Sequence, residues 1–117
     1  MKNYHIYVFS QNGCKPCDRL KDHVKTLTPN EQAELDIVPL KTETGARTAL
    51  AEELSVELTP TLVVVYESVK CELEPDGDEF CDLKEEAVET IVGANSIIEK
   101  LSATLDAYTY AHPDESI

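Results

Sequence analysis

The segment Cys14-Lys15-Pro16-Cys17 constrains the fold more than any other feature of the sequence, because it joins two predicted elements of different periodicity. Before it, residues 4–9 form a β-branched and aromatic run typical of a buried strand, and the turn signal 10–13 follows. After it, apolar residues recur at the spacing of one helix face, which predicts a helix over 15–27. The two cysteines are therefore predicted to lie where a strand passes into the first turn of a helix.

The remainder of the chain alternates between strand-like and helix-like patterns. The predicted elements are a strand at 35–40, a helix at 46–54, strands at 61–66 and 87–92, and a helix at 96–108. Thr28-Pro29-Asn30 is predicted to end the first helix, and Pro39 indicates that the 35–40 strand is short or at a sheet edge. In the 46–54 helix, Ala49, Leu50 and Leu54 are predicted to face inward.

The element order β-α-β-α-β-β-α predicts an α/β fold. The first β-α-β unit implies two parallel strands with a right-handed crossover, and the last two strands imply an antiparallel pair. The sequence thus predicts a four-stranded mixed sheet with helices on both faces. A chain of 117 residues fits one domain, assigned to 1–110, followed by a frayed polar tail at 111–117.

Acidic residues are concentrated between the last two predicted strands. The excursion at 67–86 holds nine of the 23 acidic residues and is centred on the turn signal Pro75-Asp76-Gly77. A formal net charge of −13 repels phosphate backbones and anionic lipid, so binding of nucleic acid or membrane surfaces is not expected. The excursion is interpreted as a solvated loop and, alternatively, as a docking surface for a basic partner.

The sequence also bears on where the protein is expected to act. No apolar run reaches the roughly 20 residues that a membrane-spanning helix needs. The first residues, Met1 to His5, lack the apolar stretch of a secretory signal. A cytoplasmic protein is therefore expected, and its high charge favours a monomer.

The position of Cys14 favours a reactive thiolate. Unpaired N–H groups and the dipole at a helix N-terminus stabilise negative charge, and Lys15 adds a positive charge nearby, although Asp18 would oppose it. Cys17, one helical turn later, is expected to be more buried. This asymmetry suits dithiol exchange, with Cys14 as the nucleophile and Cys17 as the resolving thiol.

The alternative chemistry of two cysteines at this spacing is half of a zinc site. The other cysteines, Cys71 and Cys81, do not repeat the short spacing, and His5, His23 and His112 form no ligand pattern. The residues therefore favour redox chemistry, and no metal site is predicted.

These features resemble the thioredoxin and glutaredoxin superfamily. The resemblance is carried by Val8-Phe9-Ser10 leading into Gly13-Cys14-Lys15-Pro16-Cys17, by Thr59-Pro60-Thr61 at the start of an apolar strand, and by Gly93 after the last strand. It implies a thioredoxin fold in which Pro60 is cis and packs beside the reactive disulfide. It also implies that Thr59 offers backbone groups to an extended substrate segment, and that Gly13, Lys15 and Pro16 complete the active-site loop.

Two branches of the superfamily contribute to the resemblance. The domain begins directly with the strand before the cysteines, as in glutaredoxins, whereas a proline before the second cysteine is a thioredoxin feature. The paired glycines and acid with which glutaredoxins hold glutathione are missing, since the segment reads Val92-Gly93-Ala94-Asn95-Ser96. The chain is therefore interpreted as a glutaredoxin-sized body with a thioredoxin-like active site.

A second cysteine pair flanks the turn of the excursion. If Pro75-Asp76-Gly77 is the loop of a hairpin, Cys71 and Cys81 lie directly opposite each other, with Cβ atoms about 4.5–5.5 Å apart, close to the separation of a disulfide. We therefore predict that this pair can bridge. It is interpreted as a staple of the excursion or as two free thiols and, alternatively, as an accessory redox pair.

The predicted function is the reduction of protein disulfides by the Cys14/Cys17 dithiol. The resemblance implies no bound cofactor, an external reductant (thioredoxin reductase or glutathione), and disulfide-containing client proteins such as ribonucleotide reductase. Two alternatives stay open. One is a glutathione-dependent glutaredoxin, and the other is a non-enzymatic binding module of the same fold that uses the acidic 67–86 surface.

Overall fold

The computed structural model describes residues 4–108. Its elements are β1 (Tyr4–Ser10), α1 (Lys15–Val24), α2 (Pro29–Ala33), β2 (Leu35–Pro39), α3 (Ala49–Glu53), β3 (Thr61–Leu73), β4 (Glu79–Val92) and α4 (Ala94–Tyr108). None of the helices in this range is long and apolar enough to cross a membrane. The tail predicted at 111–117 lies outside the described residues.

The strands form one four-stranded sheet in the order β2-β1-β3-β4, as the element pattern predicts. β1 pairs with β2 in parallel, and the β1–β3 and β3–β4 pairs are antiparallel. β2 lies at one edge of the sheet, which agrees with the interpretation of Pro39, since an edge strand tolerates a residue that lacks an N–H donor. The mixed sheet therefore has β1 and β3 at its centre.

Apolar residues pack against both faces of the sheet. One core lies between the sheet and helices α1 and α4, and it contains Ile6, Val8, Leu20, Val24, Leu35, Leu62, Val64, Ile91, Ala94, Ile97, Leu101 and Leu105. The opposite core includes α3 and contains Phe9, Leu40, Ala51, Val56, Val63 and Val65. Because alternate residues of β3 enter the two cores, both faces of this central strand are buried and the predicted helical layers are confirmed.

The first helix ends earlier than the apolar pattern predicts. α1 ends at Val24, and the N–H groups of Thr26 and Leu27 bond to carbonyls three residues back. Thr28 does more than end this helix, because its hydroxyl accepts from the Glu31 N–H while its own N–H donates to the Glu31 carboxylate. This capping box starts α2, a short helix that the sequence pattern does not predict.

The third helix is shorter than predicted. The 41–47 segment is held by a bridge between Lys41 and Arg47, so α3 starts only after the N-cap residue Thr48, whose hydroxyl accepts from Ala51 N–H. Leu50 and Leu54 pack partly buried against the core that contains the fully buried Ala51, as predicted for the two leucines, whereas Ala49 is exposed. The inward assignment of Ala49 is therefore wrong, because at about 3.6 residues per turn Ala49 lies on the side of the helix opposite Leu50, Ala51 and Leu54.

The excursion is a continuation of the sheet. β3 extends to Leu73 and β4 begins at Glu79, and a tight turn joins them with a hydrogen bond from Glu74 N–H to the Asp78 carbonyl. We call residues 67–86 the hairpin arm. Residues 71–84 are all exposed. The expectation of a loop between separate strands is thus corrected to two long paired strands whose outer residues are exposed.

The core between the sheet and α4 should contribute more to stability than the hairpin arm. Leu101 is 1% exposed in the core, whereas Leu73 in the arm is 77% exposed. We expect Leu101→Ala to lower the free energy of unfolding by about 2–5 kcal/mol through lost burial and a residual cavity. The same substitution at Leu73 should change it by less than about 0.5 kcal/mol. Urea unfolding followed by circular dichroism measures both, and equal losses would contradict this division of the fold.

Candidate functional site

Cys14 is the N-cap residue of α1. Gly13 precedes it with a φ of +76°, a conformation that a side chain would disfavour, and Pro16 occupies the first turn, where no intrahelical donor is lost. The Cys17 N–H donates to Cys14 Sγ over 3.2 Å, so the sulfur accepts the capping hydrogen bond. The helix start thus directs a backbone donor at this sulfur, as the sequence position predicts.

Cys14 and Cys17 are joined by a disulfide, with their Cα atoms 5.2 Å apart. The two residues differ in exposure. Cys17 is 1% exposed and packs on the buried face of α1, whereas Cys14 is half-buried, between the exposed residues Gly13 and Lys15. An attacking group from solvent can therefore approach Cys14, and Cys17 is reached only from within the protein.

Thr59 and Pro60 lie against the disulfide, and the peptide bond between them is cis. The Thr59 hydroxyl donates to Cys14 Sγ over 3.6 Å, and the Thr59 carbonyl oxygen lies 3.7 Å from the same sulfur. Pro60 is buried, and its carbonyl accepts from the Gly93 N–H over 2.9 Å. The structure therefore brings together three separate motifs of the sequence: the cysteine pair, the threonine–proline pair and the glycine after β4.

A small cavity lies behind the disulfide. Its volume of about 10 Å³ is near the lower limit for a cavity that holds one water molecule, and Ser10, Cys17, Lys21 and Pro60 are among its lining residues. The Ser10 hydroxyl is buried and has no hydrogen-bond partner among the described residues. The sequence pattern places Ser10 in a turn and indicates no role for it in the site. Its burial follows from its being the last residue of the central strand β1, which no local signal marks.

An arginine on α1 links the helix that carries the cysteines to the start of α4. The Arg19 guanidinium donates to the Asn95 side-chain oxygen over 3.1 Å. Asn95 follows Gly93 and Ala94, so the same turn that bonds to Pro60 also contacts α1. This exposed hydrogen bond therefore connects the helix that carries the cysteines with the turn that bonds to Pro60.

Two tyrosines, Tyr7 on β1 and Tyr108 at the end of α4, have a raised pKa. Burial, and then a hydrogen bond of 2.9 Å to Glu85, raise the pKa of Tyr7, and burial followed by a hydrogen bond with Glu89 raises the pKa of Tyr108. The Tyr7–Glu85 bond ties the base of the hairpin arm to β1. Neither tyrosine lines the cavity behind Cys17, so neither is assigned to the disulfide site.

The second cysteine pair lies on the hairpin arm in the register that the sequence predicts. Cys71 is opposite Cys81, their Cα atoms are 4.0 Å apart, and they form a disulfide. Both residues are exposed. Within residues 4–108, the one group of three side chains with metal-ligating atoms close together is Cys71, Glu79 and Cys81.

Comparisons with known proteins identify the fold. No protein-family model matches the sequence, and no match to a curated protein is significant. Among solved structures, Fasciola hepatica thioredoxin is 22% identical, covers 92% of this chain and 84% of its own, and has a TM-score of 0.56. Malassezia sympodialis thioredoxin is 17% identical, with 92% and 76% covered and a TM-score of 0.56.

A third similar structure comes from a complex of ferredoxin:thioredoxin reductase with thioredoxin f2. It is 17% identical, covers 91% of this chain and 77% of its own, and has a TM-score of 0.58. At these identities the likeness concerns the backbone architecture. The chain therefore has the thioredoxin fold, with a cysteine pair at disulfide distance at the start of its first helix.

The Thr59 hydroxyl provides a test of the geometry around Cys14. Thr59→Val removes a hydrogen bond that favours the thiolate, with almost no change in side-chain volume. We expect the pH at which alkylation of reduced Cys14 reaches half its maximal rate to rise by about 0.5 to 1 pH unit. The measurement uses iodoacetamide in a Cys71→Ser/Cys81→Ser background, so that the arm thiols do not react.

Thr59→Ser is the matched control, because it retains the hydroxyl and should retain the midpoint of the wild type. An unchanged midpoint in Thr59→Val would show that this hydroxyl does not stabilise the thiolate.

Proposed function

We propose that this protein is a thiol–disulfide oxidoreductase that reduces disulfides of other proteins through Cys14 and Cys17. The observation that carries the proposal is the pairing of a half-exposed N-cap cysteine with a fully buried one, beside Thr59 and Pro60. One sulfur is open to a client and its partner is shielded from solvent. A dithiol that must form and then resolve a mixed disulfide needs this difference.

The reaction starts from the reduced pair. The Cys14 thiolate attacks one sulfur of a client disulfide, forms a mixed disulfide and releases the other client sulfur as a thiolate. Cys17, deprotonated in turn, attacks Cys14 Sγ, closes the Cys14–Cys17 bond and releases the second client sulfur. Two electrons pass to the client, and both of its cysteines leave as thiols once protonated.

The surroundings of Cys14 support its role as nucleophile. Its sulfur accepts hydrogen bonds from the Cys17 N–H at 3.2 Å and from the Thr59 hydroxyl at 3.6 Å. Both donors, together with the positive end of the α1 dipole, favour the thiolate over the thiol. These contacts support the assignment of Cys14 as the nucleophile of the proposed exchange.

A client segment would bind alongside Thr59. β3 begins at Thr61, so Thr59 lies outside the strand ladder, and we assign its backbone groups to pairing with an extended client chain. Leu58, immediately before it, is 64% exposed and offers an apolar contact. Lys15 and Pro16 are exposed on the other side of Cys14. We assign these four residues, Leu58, Thr59, Lys15 and Pro16, to the surface that contacts a client around Cys14 Sγ.

After each cycle the disulfide must be reduced by an external donor. A reductase is the favoured donor, because one similar structure is a complex of a thioredoxin with its reductase. The glycine pair and acid expected for glutathione binding are missing from 92–96, so glutathione is the second candidate. A reducing compartment such as the cytoplasm fits this cycle, and ribonucleotide reductase is a client to test.

The test is reduction of insulin disulfides with dithiothreitol as electron donor, followed by turbidity. The wild type should accelerate the reaction, and Cys14→Ser should reduce the rate to that of dithiothreitol alone because no mixed disulfide forms. In a separate incubation, Cys17→Ala that has been reduced and freed of dithiothreitol should accumulate a covalent complex with insulin that is visible on a non-reducing gel. Cys71→Ser/Cys81→Ser should keep the wild-type rate, since the exchange uses neither residue.

If folded, reduced wild type gives no acceleration and Cys17→Ala traps no insulin, the general reductase is excluded. A binding module that uses the hairpin arm would then be the function to pursue.

A further inference from the structure

The hairpin arm places two thiols and a carboxylate on one exposed surface. We propose that reduction of the Cys71–Cys81 disulfide opens a zinc site whose protein ligands are Cys71 Sγ, Cys81 Sγ and a carboxylate oxygen of Glu79. This site is separate from the Cys14/Cys17 pair and does not depend on the proposed oxidoreductase activity.

The β-ladder brings the three ligands together. Cys71 and Cys81 are directly opposed, so their side chains lie on the same face of the hairpin. Glu79 precedes Cys81 by two residues in β4, and alternate residues of a strand point to the same face. The two sulfurs and a Glu79 oxygen all lie within 4.8 Å of one another. Two sulfurs bound to one tetrahedral Zn²⁺ at about 2.3 Å lie roughly 3.8 Å apart, so the two thiols must move apart after reduction, which exposed side chains can do by rotation.

The chemistry of the ligands selects the metal. Thiolates are soft ligands and prefer Zn²⁺ to Mg²⁺ or Ca²⁺, which take oxygen ligands. Two cysteines and one carboxylate leave the fourth tetrahedral position to water or to a group from another molecule. All three ligand residues are exposed, so the metal can enter from solvent without any opening of the core.

The charge of the arm favours a divalent cation. Residues 67–86 contain nine carboxylates and two lysines, which makes this segment the most acidic part of the chain. Such a field raises the local concentration of cations. It does not choose among them, so the selectivity for zinc comes from the sulfurs.

Reduction and metal binding are balanced steps. A dithiol reductant transfers two electrons and two protons to the Cys71–Cys81 bond, which yields two thiols and the oxidised reductant as a disulfide. Zn²⁺ then displaces the two thiol protons and forms two Zn–S bonds. A disulfide oxidant that accepts two electrons from the pair, and is itself reduced to two thiols, re-forms the Cys71–Cys81 bond and releases the ion, so occupancy of the site follows the redox state of the arm.

The experiment uses the full chain with Cys14→Ser and Cys17→Ala, in which Cys71 and Cys81 are the only thiols. Alanine suits the buried position 17, and circular dichroism checks that the variant is folded. The protein is reduced with a phosphine, which consumes one water and leaves as the phosphine oxide, and is then desalted without oxygen. Titration with Co²⁺ should give thiolate-to-metal charge-transfer absorption, and competition with a chromophoric chelator should give one Zn²⁺ per chain.

Two carboxylate variants show whether Glu79 binds Zn²⁺ directly or only adds to the negative charge of the arm. Glu79→Gln removes the proposed ligand and should weaken Zn²⁺ binding at least about tenfold. Glu72→Gln makes the same chemical change next to Cys71 but on the opposite face, since Glu72 pairs with Phe80, and it should leave the affinity within about twofold.

Three results would overturn the proposal. They are no Zn²⁺ binding by the folded, reduced variant, equal binding by its oxidised form, and equal weakening by Glu72→Gln and Glu79→Gln. If the variant proves unfolded, the same titration of reduced wild type and reduced Cys71→Ser decides the question, because loss of one Zn²⁺ equivalent in Cys71→Ser supports the site and no loss contradicts it.

Discussion

The antiparallel pairing of β1 with β3 is the constraint on which the rest of the structure depends. Six residue pairs, from Tyr4 with Tyr66 to Phe9 with Thr61, fix the end of β1 beside the start of β3. The loop that follows β1 carries Cys14, and the loop that precedes β3 carries Thr59, so this one register brings the sulfur and the threonine within hydrogen-bond reach. The Gly93 N–H bond to Pro60 then holds the second loop in place.

The elements that the sequence predicts well are those whose periodicity is reinforced by burial. β1 and the inner part of β3 are apolar on both faces, and α1 has one apolar face, so their type and order follow from residue pattern alone. The contact between Cys14 and Thr59 is different, because it joins residues 45 positions apart. Resemblance predicted that Pro60 packs beside the disulfide, whereas nothing local indicated that Ser10 lines the cavity behind it.

The errors of prediction have identifiable physical causes. Thr28 and Pro29 can end a helix that precedes them, and they can also start a new helix when Glu31 completes a capping box. The structure shows the second case, at the start of α2. In the hairpin arm, the acidic composition suggests a loop, but backbone pairing across a tight turn maintains both strands although their side chains are exposed. The register of that hairpin also explains why spacing along the chain did not indicate ligands: Cys71 and Cys81 are neighbours across the ladder.

The length of β3 has a kinetic consequence. This strand runs from the loop beside Cys14 at one end to the arm at the other, and Cys71 lies ten residues beyond Thr61, roughly 33 Å along an extended strand. Sulfur atoms that far apart on a rigid sheet do not meet within one molecule. Any passage of electrons between the two cysteine pairs therefore requires an encounter of two chains or a diffusing carrier, and without a carrier its rate is second order in protein.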